Sequence, residues 1–278
     1  MMFVLINDQI KKQNEVHIHF EDRGYQFGDG IYEVVRIYNG QPFLMDEHIQ
    51  RLARSAQELK MSLPLTSEQL QQKIEELLTR ERCETGNVYI QVTRGVAPRT
   101  HQFPNDAQPV LTCYVIPAER PQEILNNGIK AVTCEDIRWL RCDIKSLNLL
   151  GNVLAKQTAV ERNCQEAIQH RGEIVTEGSS TNVFIVKNGH LKTHPANNYI
   201  LHGITRAAVI QLADRRNINV DETPFTLTDL FKADEVFVTG TTTEVCPVTH
   251  IDERPIANGT PGEVTRLLQQ DFEELISQ

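Results

Sequence analysis

The amino-acid sequence predicts an α+β protein of two domains. Strand-like and helix-like hydrophobic patterns follow one another along the 278 residues, and no segment repeats. A polar stretch with two prolines, residues 117–123, divides the chain, as linkers do. The predicted organisation is a smaller domain at 1–118, a linker at 119–123 and a larger domain at 124–278.

The elements of the first domain follow from its apolar periodicity. Asn39-Gly40 predicts a hairpin, because both residue types tolerate positive φ. Two later segments have apolar residues at helical spacing, one with Asp46 as its expected N-cap and one opened by Thr66. The predicted order is a strand at 2–6, a β-rich stretch at 24–38, the two helices, and strands at 87–94 and 109–116. Because hairpins and short loops join these strands, we expect them to be antiparallel.

The second domain mixes strands and helices. Asn188-Gly189 predicts a hairpin within the segment NVFIVKNGHLKTH. The other predicted elements are a strand at 129–135, a helix at about 150–163, a helix at 205–215, a strand at 235–239 and a helix at about 261–276.

Charge and cysteine usage exclude several classes of function. The formal net charge is −9, whereas a protein that binds nucleic-acid phosphates needs a surplus of Lys and Arg. The six cysteines show no CxxC pair and no zinc spacing, so we expect reduced thiols, no disulfide and no metal. The first apolar run ends at Asn7, which is too short for a signal peptide or a membrane span. We therefore expect a cytoplasmic protein that binds neither nucleic acid nor a membrane.

Two sequence segments contain residues that could line a cleft. EDRGYQFGDGIYEVVR (21–36) has three glycines that permit close backbone approach, and Tyr32 follows at the start of a strand. An ordinary turn before a strand would look the same. In DIRWLRCDIKSLNLLGN (136–152), Lys145 stands among apolar residues, where an ammonium is costly unless it is paired or neutralised. Such a lysine can act as a Schiff-base nucleophile, but most lysines of this kind extend to solvent.

Two more strings suit an anionic or aromatic ligand. VTEGSSTNVF places Glu177 ahead of three hydroxyl residues, which fits either a carboxylate facing a cationic ring nitrogen or a solvated turn. LHGITRAAV enters a helix at Ile204 and Thr205, where free N–H groups and a hydroxyl can bind phosphate. VTGTTTEV offers a second set of amides and hydroxyls. Ordinary N-capping explains the helix start equally well, so none of these strings decides alone.

Taken together, five segments resemble the signature segments of a known enzyme family. They are DRGYQFGDG (22–30), RGVAPRTHQFP (94–104), IRWLRCDIKSLNLLGN (137–152), VTEGSSTNVF (175–184) and GITR (203–206). In order and spacing they are similar to those of the D-amino acid aminotransferases, fold type IV pyridoxal-phosphate enzymes, over essentially the whole chain. RGVAPRTHQFP is the most discriminating segment. The resemblance implies a smaller N-terminal α/β sandwich-like domain, a larger C-terminal β-barrel-like domain with helices, and a cofactor site at their interface.

The resemblance also implies roles toward the cofactor. Lys145 would hold pyridoxal 5′-phosphate covalently and shuttle the proton at the substrate Cα, with Glu177 facing the pyridine nitrogen. The phosphate and the ring would be held by Arg51, Leu201, Ile204, Thr205 and Thr241. Gly240 stands where the family leads us to expect serine, so the backbone N–H is kept but a hydroxyl contact is lost.

Substrate roles come from the same resemblance. Tyr32, Arg99 and His101 would bind the α-carboxylate, because they supply a bidentate cation and oriented donors. Arg99 and His101 are two residues apart, so on an extended segment they project on the same side. Val34 would line the side-chain pocket. The loop of Arg99 crosses to the other subunit in the family, which implies a homodimer. The implied reaction is transamination from D-amino acids, D-alanine preferred, to 2-oxoglutarate, giving pyruvate and D-glutamate.

Three other functions remain open at this point. An L-branched-chain aminotransferase of the same fold would share Lys145 and Glu177 but place the carboxylate elsewhere, and the Arg99/His101 pair argues against it. An aminodeoxychorismate lyase would need a pocket for a ring-bearing substrate. A small-ligand binding or structural protein would not need Lys145, Glu177 and a phosphate site together.

Overall fold

The computed structural model describes residues 2–277, in two units. Unit 1 runs to Arg120 and includes Ile144–Asn148, and unit 2 consists of Pro121–Asp143 and the chain from Leu149 onward. The pentapeptide Ile144–Asn148, predicted to belong to the C-terminal domain, therefore lies in unit 1. The α+β class is confirmed, since strands and helices are intermixed in both units.

Unit 1 has a six-stranded sheet and three α-helices. Its strands are β1 (Phe3–Ile6), β2 (Gln9–Lys12), β3 (Gly30–Tyr38), β4 (Gln41–Pro42), β5 (Gly86–Thr93) and β6 (Val110–Pro117), in the spatial order β2-β1-β6-β5-β3-β4. Its helices are α1 (Arg23–Phe27), α2 (Met45–Glu58) and α3 (Ser67–Glu81), with a 3₁₀ turn at Gln13–Glu15. Every pair of strands is antiparallel, as predicted, and the predicted Asn39-Gly40 hairpin joins β3 to β4.

The core of unit 1 joins one face of the sheet to helices α2 and α3. Ile31 and Val35 of β3 are fully buried in one cluster with Ile90 of β5, Leu52 of α2 and Leu77 of α3. Side chains alternate across a strand, so Tyr32 and Val34 lie on the opposite face of β3. Helices α2 and α3 therefore do not cover the face of the sheet that carries Tyr32 and Val34.

The predicted β-rich stretch at 24–38 is wrong in its first residues, because the strand begins only at Gly30 and the segment before it is helical. Residues 23–27 form α1, because the Asp22 carboxylate accepts a hydrogen bond from the Gly24 N–H (2.8 Å) and so caps the first turn. Gly28 ends the helix in the left-handed region, at φ 66°.

Of the two N-caps predicted in unit 1, one is confirmed and one is wrong. Thr66 caps α3 as predicted and forms a capping box with Gln69. Asp46 is not the N-cap of α2, because that helix begins at Met45 after a left-handed Leu44. Asp46 lies in the first turn instead, where its charge interacts favourably with the helix dipole.

The pentapeptide Ile144–Asn148 attaches to the start of β3. The Tyr32 N–H donates to the Lys145 carbonyl (3.0 Å), and the Leu147 N–H donates to the Gly30 carbonyl (3.0 Å). Ser146 forms an isolated bridge with Ile31. Lys145 therefore lies beside the first residues of β3.

Unit 2 has a nine-stranded mixed sheet and five helices. The strands are β7 (Ile129–Glu135), β8 (Glu166–Arg171), β9 (Ile174–Gly178), β10 (Asn182–Lys187), β11 (His190–Thr193), β12 (Val220–Asp221), β13 (Glu235–Gly240), β14 (Glu244–Ile251) and β15 (Arg254–Pro255). The helices are α4 (Gln122–Asn127), α5 (Leu150–Glu161), α6 (Ile204–Arg215), α7 (Leu227–Phe231) and α8 (Glu263–Ile276). The spatial order is β12-β11-β10-β13-β14-β7-β8-β9, with β15 beside β14, and the pairs β11/β12, β14/β7 and β7/β8 are parallel.

Most predicted elements of unit 2 are confirmed. The β10–β11 hairpin turns at Asn188-Gly189, and β7 has the predicted bounds. Strands β8, β9 and β14 and helices α4 and α7 were not predicted from the sequence. Across residues 2–277, every helix is too short or too polar to cross a membrane.

Candidate active site

In unit 1, Lys145 is held beside Tyr32. The Lys145 N–H donates to Ser55 Oγ (3.3 Å), and its carbonyl accepts from the Tyr32 N–H, so main-chain bonds fix both ends of this residue. Its half-buried side chain places Nζ 4.2 Å from the centroid of the Tyr32 ring. The Tyr32 ring in turn stacks on Tyr89, with centroids 5.8 Å apart. The structure therefore brings a predicted nucleophile and a predicted carboxylate-binding residue together.

Arg51 belongs to a buried ionic cluster on the other face of β3. Its Nε and Nη2 donate to the two carboxylate oxygens of Glu33 (2.7 and 2.9 Å), and His48 Nδ1 lies 2.8 Å from Glu33 Oε2. Burial would raise the pKa of Glu33, but Arg51 and His48 outweigh it and lower that pKa to about 2. Burial also lowers the pKa of His48. The cluster is thus an Arg51–Glu33 ion pair that fixes the guanidinium in place.

Arg99 and His101 are exposed and meet the same aromatic ring. The Arg99 Cζ lies 4.9 Å from the Phe27 centroid, and the His101 ring lies 5.8 Å from it, edge-on. The two side chains therefore do project toward one side, as their spacing predicted. Val34 lies two residues beyond Tyr32 on the same face of β3 and is directly opposite Tyr89 in β5.

In unit 2, Glu177 is almost fully buried and has three donors. The Arg138 Nη1 donates to its Oε1 (2.5 Å), and the Asn182 Nδ2 (2.9 Å) and Leu201 N–H (3.0 Å) donate to its Oε2. Burial raises the pKa of Glu177 to about 7, even though the Arg138 charge works against that rise. Glu177 can therefore change its protonation state near neutral pH.

Arg138 is itself held by Asp136. Its Nε and Nη2 donate to the two Asp136 oxygens, both at 2.8 Å, and Arg171 Nε also donates to Asp136 (3.1 Å). Burial would lower the pKa of Arg138, but Asp136 and Glu177 raise it above its ordinary value. The Arg138 guanidinium therefore stays charged beside Glu177.

The start of α6 is open to an anion. Gly203 is its N-cap in an extended conformation, and no side chain in the described part of the chain caps that end. The N–H groups of Ile204 and Thr205 lie in the first turn, where the helix dipole favours negative charge. The phosphate-binding role of both residues stays a prediction, with which these free N–H groups are compatible.

The end of β13 and the loop that follows it carry unsatisfied hydroxyls. Within residues 2–277, the buried Oγ1 atoms of Thr239 and Thr243 have no hydrogen-bond partner, an arrangement that an added acceptor would relieve. Thr241 is half-buried in the same loop. A Cβ at Gly240 would lie 2.7 Å from Thr243 Oγ1, so the serine expected at this position would displace Thr243.

Comparison with known proteins identifies the family. The model of the amino-transferase class IV family matches residues 30–251. This chain belongs to the class IV aminotransferases. It is 51% identical over 277 residues, 99% of its length and 98% of the relative's, to a D-alanine aminotransferase of Staphylococcus haemolyticus. The predicted family resemblance is thereby confirmed.

Solved structures of branched-chain aminotransferases share the fold of this chain. The Escherichia coli branched-chain amino acid aminotransferase superposes with a TM-score of 0.94 at 26% identity, covering 99% of this chain and 94% of that one. A T.th. branched-chain amino acid aminotransferase, complexed with N-(5′-phosphopyridoxyl)-L-glutamate, gives 0.92 at 27% identity with the same coverage. Pyridoxal 5′-phosphate is the cofactor of this family, as predicted.

The residues of this class IV aminotransferase fit that cofactor chemically. A lysine amine, a buried carboxylate that titrates near pH 7, an uncapped helix start and partnerless hydroxyls match an aldehyde, a ring nitrogen and a phosphate. Lys145, Tyr32 and Arg51 lie in unit 1, whereas Glu177 and the α6 start lie in unit 2.

Sequence reasoning missed the residues that support Glu177. Asn182 Nδ2 donates both to Glu177 and to the Leu201 carbonyl (2.9 Å each), which ties the carboxylate to the chain that leads into α6. Asn182 is part of the segment VTEGSSTNVF, but no neighbouring residue in the sequence indicates that it binds Glu177. Arg138 lies 39 residues before Glu177, and no pattern in the sequence predicts that they pair.

Proposed function

We propose that this protein is a D-amino acid aminotransferase that transfers the amino group of D-alanine to 2-oxoglutarate, giving pyruvate and D-glutamate. The observation that carries this proposal is the 51% identity, over nearly the full length of both chains, to a D-alanine aminotransferase. The branched-chain enzymes share the fold at about half that identity. Segment 94–104, with Arg99 and His101, supports the D-alanine activity.

Lys145 would carry the cofactor and move the proton at the substrate Cα. Bound pyridoxal phosphate supplies an electron sink that stabilises negative charge at that carbon. The Lys145 side chain is half-buried, its Nζ faces the Tyr32 ring, and no carboxylate pairs with it in the described contacts, so the amine is free to reach a substrate. Its main-chain hydrogen bonds fix the base of this side chain beside Tyr32.

Glu177 would hold the proton on the ring nitrogen of the cofactor. An ionised carboxylate there favours the protonated ring, and three donors already stabilise the ionised form of Glu177. Leu201, whose N–H contacts Glu177, would pack against the ring. The phosphate would be bound by the Arg51 guanidinium, the first-turn N–H groups of Ile204 and Thr205, and Thr241.

Tyr32, Arg99 and His101 would bind the substrate α-carboxylate, and Val34 would line the side-chain pocket. Binding the carboxylate in one orientation decides which enantiomer presents its Cα–H to Lys145, so these residues would give D-specificity. We further propose that the protein works as a homodimer in the cytoplasm, with the loop of Arg99 shared between subunits.

Product analysis tests the proposed reaction. The purified, cofactor-loaded protein is incubated with D-alanine and 2-oxoglutarate, and pyruvate and the chirality of the glutamate are measured. We expect equal amounts of pyruvate and D-glutamate. L-glutamate formed from L-leucine, with no product from D-alanine, would support a branched-chain activity instead.

A further inference from the structure

The motif DRGYQFGDG serves as a support for the loop that carries Arg99 and His101. The Arg23 N–H donates to the Gly95 carbonyl (2.9 Å), and Asp22 forms a β-bridge with Val96. Helix α1 and the beginning of this loop are therefore joined through their main chains. All of these residues belong to unit 1.

Arg23 reaches further along the same loop. Its side chain is buried, with Nε donating to Asp29 Oδ2 (2.8 Å) and Nη1 donating to the Thr100 carbonyl (2.7 Å). Thr100 stands between Arg99 and His101. A buried guanidinium needs such partners, and here one of them is the main chain that sets the direction of both neighbouring side chains.

Phe27 contacts those two side chains directly. Its ring centroid lies 4.8 Å from the Arg23 Cζ and 4.9 Å from the Arg99 Cζ, and 5.8 Å from the His101 ring centre at an interplanar angle of 74°. Both distances to guanidinium groups are within the range of cation–π attraction. Arg99 and His101 are otherwise exposed, so this ring limits the conformations that their side chains can adopt.

We propose that Arg23 and Phe27 are positioning residues for carboxylate binding: they hold Arg99 and His101 in a shared orientation before substrate arrives. This inference rests on the proposed role of Arg99 and His101. A guanidinium and an imidazole that are already oriented lose less side-chain entropy when a carboxylate binds, so affinity increases without a new contact to the substrate. Substitution of Phe27 should therefore weaken binding of both D-alanine and 2-oxoglutarate, which present the same carboxylate.

The test is Phe27→Leu, with Tyr25→Leu as its control. Tyr25 lies on the same short helix but is 81% exposed. We expect Phe27→Leu to raise KM for D-alanine and for 2-oxoglutarate about tenfold, the scale of one or two cation–π contacts. The saturated single-turnover rate should change less than about twofold, since the chemistry at Lys145 is untouched. Tyr25→Leu should match the wild type in both.

A double-mutant cycle separates positioning from general destabilisation. In an Arg99→Gln background, Phe27→Leu should add only a small further loss, because much of the effect passes through Arg99. Arg23→Lys, which keeps the charge but cannot reach both Asp29 and Thr100, should also raise KM. Unchanged KM in Phe27→Leu, a loss of the saturated rate alone, or full additivity with Arg99→Gln would each overturn the inference. A wild-type protein that does not consume D-alanine would instead overturn the proposed function, and this inference with it.

Discussion

Replacing Arg138 by glutamine should strip Glu177 of the cation that favours its ionised form. Arg138 Nη1 lies 2.5 Å from Glu177 Oε1, and this carboxylate is buried, so solvent screens the pair little. The pKa of Glu177 is about 7 with Arg138 present, because burial raises it and Arg138 partly opposes the rise. Without the guanidinium, burial acts with less opposition, and the pKa of Glu177 must rise further.

The size of this rise follows from Coulomb's law. Two unit charges about 4 Å apart, at an effective dielectric constant of about 20, interact by about 4 kcal/mol. One pKa unit corresponds to about 1.4 kcal/mol, so the shift is about three units upward. At pH 8 the ionised fraction of Glu177 then falls from about nine-tenths to about one-hundredth.

The affinity of the cofactor-free protein for pyridoxal 5′-phosphate, measured against pH, reports this change. The ligand's own titrations are the same for both proteins and cancel in the ratio of their dissociation constants. We expect Arg138→Gln to bind up to about 100-fold more weakly at pH 8 and to recover affinity only at higher pH. Arg138→Lys, which retains a charge, should shift the profile much less.

Arg141→Gln is the matched control, because Arg141 is three residues away, is partly exposed and pairs with Asp143 rather than Glu177. Its profile should coincide with that of the wild type. If the profile of Arg138→Gln also coincided with the wild-type profile, Arg138 would not set the charge of Glu177, and the reasoning would be refuted.

Four further substitutions have expected outcomes. Lys145→Ala should prevent covalent attachment of the cofactor, so borohydride reduction should label the wild type and not the variant. The pKa of Glu33 is lowered from 4.5 to about 2, so its ionised form contributes about 3 kcal/mol to the free energy of unfolding above pH 4.5, and this contribution is lost as the pH falls to about 2. Glu33→Gln should abolish this part of the acid dependence of stability in denaturant titrations. An unchanged acid dependence in this variant would contradict the assignment. Gly95→Ala should cost about 2 kcal/mol or more in the same titrations, since φ is 101° and a Cβ would lie 1.9 Å from the Gln108 carbonyl oxygen. Gly172→Ala, at φ 56° with nothing within 4 Å, should cost only about 1 kcal/mol.

Local chemistry made much of the fold predictable. The Asn-Gly hairpins, the Thr66 cap and strand β7 depend on residues that are neighbours in sequence, and all are confirmed. Strand β14 was missed because it contains Pro247, which ordinarily argues against a central strand. Here the parallel pairing with β7 starts only after that proline, at Val248.

The predicted site residues belong to motifs that can be recognised in the sequence, but the contacts that hold these residues in place cannot be predicted from it. The bridge between Ser146 and Ile31 joins residues more than 100 positions apart, so no local pattern places Lys145 beside Tyr32. The pairing of Arg51 with Glu33 likewise cannot be predicted from the sequence, because either charged residue alone is typical of a solvated surface. Tertiary packing decides these contacts, and only the structure reveals them.

Titration of the cofactor-loaded protein with D-alanine and, separately, with L-alanine tests the account most directly. The visible absorption of the bound cofactor is followed, and pyruvate is measured at the end. We predict that D-alanine alone removes the absorption band and releases pyruvate in proportion to the enzyme. Loss of the band with L-alanine and not with D-alanine would contradict the proposed stereochemistry, and a protein with no visible band after reconstitution would contradict the roles given to Lys145 and Glu177.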